Sequence, residues 1–141
     1  MRRLVWIRGP AWALMALIFA VSSRSELPRA ATTLDDSVWH GMTYGVLAAL
    51  LLRGVVAARW ERVTLGTASL AVLLAALYGV TDELHQTQVP LRTFELSDLV
   101  ADATGAVVAI CVGGVLAIFT VQTIADPLFR WASQVRDAVP T

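Results

Sequence analysis

Lysine is missing from these 141 residues, cysteine occurs once and histidine twice. The eleven basic side chains are all arginine, eleven acids balance them, and charged residues make up 16% of the chain. A soluble domain carries about 25%. With no basic block to displace counterions from phosphates, nucleic-acid binding is excluded. The lone Cys111 sits in an apolar run, which leaves neither a disulfide framework nor a CxxC metal site. HExxH, GxSxG and P-loop motifs are also absent, so no familiar hydrolase or nucleotide signature applies. What the chain has in excess is apolar surface: 57% of it is Ala, Val, Ile, Leu, Met, Phe, Trp, Tyr or Cys. That excludes intrinsic disorder. At a length suited to one domain, it points to a small integral membrane protein.

Residues 63–80 and 103–125 contain no charge. A helix of about 20 apolar residues crosses the hydrocarbon layer. Four spans are expected, at about 5–21, 38–58, 63–80 and 99–123, forming an all-α, compact four-helix transmembrane bundle within residues 1–125. In the second span, Arg53 is expected to snorkel toward the interface. Pro10 interrupts the first, and as an N-terminal helix residue it would leave 11–21 as the firmer part. Behind Arg2 and Arg3, that shorter segment also has the form of a signal peptide ending near Ser22. Pro28 and Pro90 break the first and third connections. In the tail, 126–141, Leu128, Trp131 and Val135 share a helical face suited to lying on the cytoplasmic membrane surface.

Charge sets the sidedness. With four spans, Arg2, Arg3, Arg8, Arg53, Arg59, Arg62, Arg130 and Arg136 share one side, and Arg24, Arg29 and Arg92 the other. The positive-inside rule then places both termini in the cytoplasm of a cell-membrane protein. Eight of the eleven acids fall at or beyond the outer ends. Small residues recur every four positions: Gly41, Gly45 and Ala49; Ala71, Ala75 and Gly79; and Ala101, Gly105, Ala109, Gly113 and Ala117. Such stripes let helix backbones meet in lipid.

Polar residues break the apolar pattern at the outer ends. Asp36, His40 and Tyr44 are spaced i, i+4, i+8 and share a helix face. Asp82, Glu83, His85 and Gln86 close the third span, while Asp98 and Asp102 open the fourth. A carboxylate at the depth of Asp102 costs about 2.5–3.5 kcal/mol unless paired or hydrated, so ionisable groups there are functional candidates.

These same residues resemble the signature of the VanZ-like family. The matching elements are Ser22-Ser23, Asp36-x3-His40-x3-Tyr44-x2-Leu47, and the run from Tyr78 to Gln86 (Tyr-Gly-Val-Thr-Asp-Glu-Leu-His-Gln). Val89-Pro90-x-Arg92 and Asp98-x2-Ala101-Asp102-x2-Gly105 follow. The resemblance spans about residues 15–115. It implies a small polytopic membrane protein and, for the best-known member, a part in resistance to the glycopeptide teicoplanin. Where the family pattern has Gly before the Arg, this chain has Leu91, and a turn there loses glycine's freedom at positive φ.

Several chemistries remain open. As an enzyme, the chain would use His40, Asp82, Glu83, His85 and Asp98 as acid, base or ligand groups on a lipid-linked substrate at the membrane surface. His40, Asp82, His85 and Asp98 have the donor types for Zn²⁺, Mn²⁺ or, with waters, Mg²⁺. As a binder, it would present Asp36, Tyr44, Gln86, Arg92 and Asp102 to a lipid headgroup, a cell-wall precursor or the glycopeptide. As plain structure, Arg92 would pair with Asp82 or Asp98, Asp102 would bond Tyr44 or Ser22, and His85 would cap the third helix. An ion path would need a second polar cluster at the inner ends, and none is there.

Overall fold

The computed structural model describes residues 2–25 and 35–120; for Arg2 and residues 117–120 it gives the backbone course alone. The expected tail helix at 126–141 and the turn at Pro28 lie outside the described residues. Within them the chain is helical, with no strand. The elements are α1 (Arg2–Ser22), α2 (Asp36–Val55), a 3-10 turn (Trp60–Arg62), α3 (Leu65–Gln86) and α4 (Leu96–Thr120). Arg3–Ser22, Leu65–Gln86 and Leu96–Leu116 are long and apolar enough to cross a membrane. By that measure α2 is not, for it carries Asp36, His40, Arg53 and three glycines. Instead it supplies more of the buried core than any other helix, with Tyr44, Leu47 and Ala48 almost fully buried.

Local chemistry sets the element ends. The Thr64 hydroxyl accepts the Thr67 N–H at 3.2 Å, and the Thr67 hydroxyl accepts the Thr64 N–H at 2.9 Å. This reciprocal box starts α3. With no breaker until Val89-Pro90, α3 runs on to Gln86, six residues past the expected end at Val80, and so takes in Asp82, Glu83 and His85. Helix α2 stops at Val55, short of the expected 58, and Ala57 and Ala58 follow with φ of 54° and 56°. Leu91 occupies the left-handed region as well, with φ of 67°. The α3–α4 turn thus keeps the conformation that glycine would favour, with Leu91 almost wholly exposed.

Helix α1 departs most from expectation: it runs unbroken through Pro10. Proline has no N–H, so the Trp6 carbonyl four residues back loses its partner. Arg53 supplies one, its Nη1 donating to Trp6 O at 3.1 Å and to Ile7 O at 2.9 Å. Arg53 is therefore half-buried against α1.

Residues Met1–Ile110 form one unit and Cys111–Thr141 another, whose described part is the last turns of α4. In the first unit, Tyr44, Leu47 and Ala48 pack with Ala75 and Ala106, and Leu14, Met15 and Ile18 of α1 close over them. The glycine stripes bring α2 and α4 together backbone to backbone. A Cβ on Gly105 would overlap the Gly41 carbonyl oxygen, and one on Gly45 would lie 3.0 Å from the Gly105 carbonyl oxygen. Ala71, Ala75 and Gly79 are buried as a stripe, whereas Ala49 and Gly113 are exposed. Leu73, Leu77, Val107 and Val108 are each about half exposed, an apolar exterior that suits lipid better than water.

Candidate functional site

The end of α1, the start of α2, the end of α3 and the start of α4 bring their polar residues together in three linked groups. The first centres on His40. Its Nδ1 lies 3.0 Å from Asp102 Oδ1 and its Nε2 lies 3.5 Å from Asp98 Oδ2. Asp36, one turn earlier on α2, is exposed and brings its carboxylate into the same group. Asp102 is almost completely buried. It fits there because α3 has Gly79 opposite: a Cβ at that position would come within 2.8 Å of Asp102 Oδ2 and 3.3 Å of the Tyr44 ring.

The second group centres on Asp82. Ser22, the last residue of α1, donates its hydroxyl to Asp82 Oδ1 at 2.7 Å. The Gln86 amide donates to Asp82 Oδ2 at 3.2 Å and to Glu83 Oε1 at 3.4 Å. Arg92 Nη1 in turn donates to Gln86 Oε1 at 3.2 Å. The expected pairing of Arg92 with Asp82 or Asp98 is replaced by this amide relay. Glu83 is fully buried and holds the fold, because its Oε2 accepts the Glu95 N–H at 2.8 Å just ahead of α4. A carboxylate suits the positive end of that helix.

His85 stands apart and faces α1: its Nε2 lies 2.9 Å from Ser23 Oγ, and its ring stacks on Phe19 at 4.3 Å. It does not join His40, Asp82 and Asp98 in one ligand set. Among the described residues, the ligand types that converge closely enough for one ion are Asp36, His40 and Asp98. The reason is helical phase: Asp82 and His85, three positions apart on α3, both turn toward the end of α1, where Ser22 and Ser23 meet them, while His40 and Asp98 meet between α2 and α4.

Tyr44 links the groups. Its ring lies parallel to His40 at 6.5 Å. Its hydroxyl is buried without a hydrogen-bond partner, within electrostatic reach of Asp82, Asp102 and Glu83. Such an atom is rare in native structures, because an unmet buried hydroxyl costs about 1–3 kcal/mol. Sequence reasoning misses Ser22 and Ser23 as partners of Asp82 and His85: the expected bond of Asp102 to Tyr44 or Ser22 is replaced by His40, and Ser22 serves Asp82 instead. It also misses the role of Gly79 as the floor beneath Asp102. The four-residue spacing of Ala71, Ala75 and Gly79 is the available signal for that floor.

Four carboxylates are buried here: Asp82, Glu83, Asp98 and Asp102. Ion pairs among the described residues converge on His40 alone. The arrangement can orient an imidazole, accept hydrogen bonds and attract a cation. No curated protein and no solved structure matches the chain. A family model described as VanZ/LLP1 matches residues 35–120, which takes in α2, α3, α4 and every residue of the site except Phe19, Ser22 and Ser23. With well over half of its length matched in this way, the chain belongs to the VanZ/LLP1 family.

Proposed function

We propose that this protein is a four-span component of the cell membrane with both termini in the cytoplasm. In this reading the polar groups around His40 and Asp82 open at the outer leaflet and bind a lipid headgroup or a lipid-linked cell-wall precursor, lowering susceptibility to glycopeptides such as teicoplanin. The observation that carries it is the burial of four carboxylates and Tyr44 at one end of helices whose outer faces are apolar. Buried charge of that density is expensive in a membrane. A role in retaining a polar ligand accounts for its presence better than packing does, since Leu or Val would pack the same space at no such cost. Arg92, held on Gln86, offers a guanidinium suited to phosphate or carboxylate.

A second reading has the site catalyse hydrolysis or transfer on a surface lipid-linked substrate. The His40–Asp102 pair favours it, because a carboxylate on one imidazole nitrogen orients the other as a base or ligand. Cells expressing wild type, Asp98→Asn or Asp82→Asn at matched membrane levels separate function from structure. The binding reading expects loss of teicoplanin protection in both folded variants. Unchanged protection in both would contradict it, and release of a cleaved precursor by wild-type protein would favour the catalytic reading.

A further inference from the structure

We propose that Asp36, His40 and Asp98 form a binding site for a divalent transition-metal ion, Zn²⁺ fitting best, with Asp102 orienting His40 from behind. One ligand atom from each of the three lies within 4.8 Å of the others, and two separate helices supply them. The His40 Nε2 to Asp98 Oδ2 separation is 3.5 Å. That is long for an N–H···O bond, whose usual range is about 2.7–3.2 Å. It is close to the roughly 3.3–3.4 Å between two ligands on one tetrahedral ion with bonds of about 2.0–2.1 Å.

The bonding of the other ring nitrogen points the same way. Asp102 accepts from His40 Nδ1 at 3.0 Å, which leaves Nε2, toward Asp98, as the nitrogen that either a proton or a metal ion can occupy. At 3.5 Å the Nε2–Asp98 gap is wide for the proton and fits the metal ion better. This carboxylate–imidazole–metal chain is the usual supporting arrangement of a metal-bound histidine.

Two further observations concern the surroundings of the triad. The Tyr44 hydroxyl, one turn from His40 on α2, is buried and unpartnered within electrostatic reach of Asp82 and Asp102, so the polar interior next to the site holds a group that its own side chains do not satisfy. The four buried carboxylates also outnumber their cationic partners, since Arg92 is engaged by Gln86. Access is open: Asp36 is exposed, and 17% of the His40 side-chain surface is accessible. Two carboxylates and one imidazole bring two negative charges, which match a divalent ion. Three protein ligands leave a fourth position for water or for an anionic oxygen of phosphate or carboxylate. The site stands whether the protein binds or transforms its target.

The test uses full-length, chelator-treated protein in detergent, titrated with Zn²⁺ alone by calorimetry and with Co²⁺ by visible absorption. Wild type is expected to take up one Zn²⁺ per chain and to give the intense absorption of tetrahedral Co²⁺. Asp36→Asn and Asp98→Asn should each weaken binding at least about tenfold, and Asp102→Asn about 10–100-fold. His85→Ala should leave it unchanged. Because Asp36 is exposed, its variant keeps the fold, as monodisperse elution and circular dichroism would verify. Wild type binding Zn²⁺ no more tightly than Asp36→Asn and Asp98→Asn would overturn the proposal and leave His40 as an imidazolium between its two aspartates. So would a folded His85→Ala variant that loses the ion.

Discussion

At the scale of single residues, helical phase divides side chains that look equivalent in the sequence. Asp82, Glu83, His85 and Gln86 read as one polar group, yet they serve different neighbours. Asp82 and Gln86 meet Ser22 and Arg92, Glu83 holds the backbone ahead of α4, and His85 rests on Ser23 and Phe19. The i, i+4, i+8 spacing of Asp36, His40 and Tyr44 was legible because it depends on one helix alone. The pairing of His40 with Asp102 was not, since it depends on how α2 and α4 meet. Leu91 gives a sharp residue-scale prediction. Left-handed backbone costs a non-glycine residue about 1–2 kcal/mol, and glycine returns roughly 0.4–1 kcal/mol of that through the unfolded chain. Leu91 is exposed and gives up little packing. Leu91→Gly should therefore raise stability by about 0.5–1 kcal/mol, read as a higher melting temperature in detergent. A lower one would contradict the turn described.

At the scale of helices, each of the four apolar runs marked a helix, and polar interruptions blurred the ends. The run ending at Val80 hid the continuation of α3, because Thr81 to Gln86 is polar but contains no breaker. Pro10 signalled a helix start, but a remote side chain covers the carbonyl it orphans, and no local pattern reveals that. In lipid such a carbonyl costs several kcal/mol. Arg53→Met should accordingly destabilise the protein by about 2 kcal/mol. In a Pro10→Ala background, where a backbone N–H is restored at that position to meet Trp6 O, the same change should cost clearly less. Equal costs in a double-mutant cycle would remove the link between them. The glycine stripes predict a contrast along α4. Gly105→Ala places a methyl group into the α2 backbone and should cost about 3 kcal/mol or more, or abolish folded yield. Gly113→Ala meets nothing within 4 Å and should gain up to about 1 kcal/mol of helix propensity.

At the scale of the whole molecule, small residues set how closely helices approach, and that approach sets the depth of the charge. Gly41, Gly45 and Gly105 bring α2 and α4 into contact, Gly79 leaves room for Asp102, and His40 reaches Asp102 and Asp98 as a result. The sequence disclosed that polar groups belong to one end of the helices, since their positions along each span follow from counting. Partner identities required the helix rotations. Sidedness rests on the arginine distribution, with Arg59 and Arg62 beside the α2–α3 turn and the acids toward the far end. Because Cys111 is the sole cysteine, a Cys111→Ser background yields clean single-cysteine reporters. The most direct test of an outward-opening site labels intact cells with a membrane-impermeant maleimide, using Thr93→Cys in the α3–α4 turn and Glu61→Cys in the α2–α3 turn. The account predicts labelling at 93 and none at 61 until the cells are opened. Labelling at 61 with protection at 93 would turn the site toward the cytoplasm and contradict it.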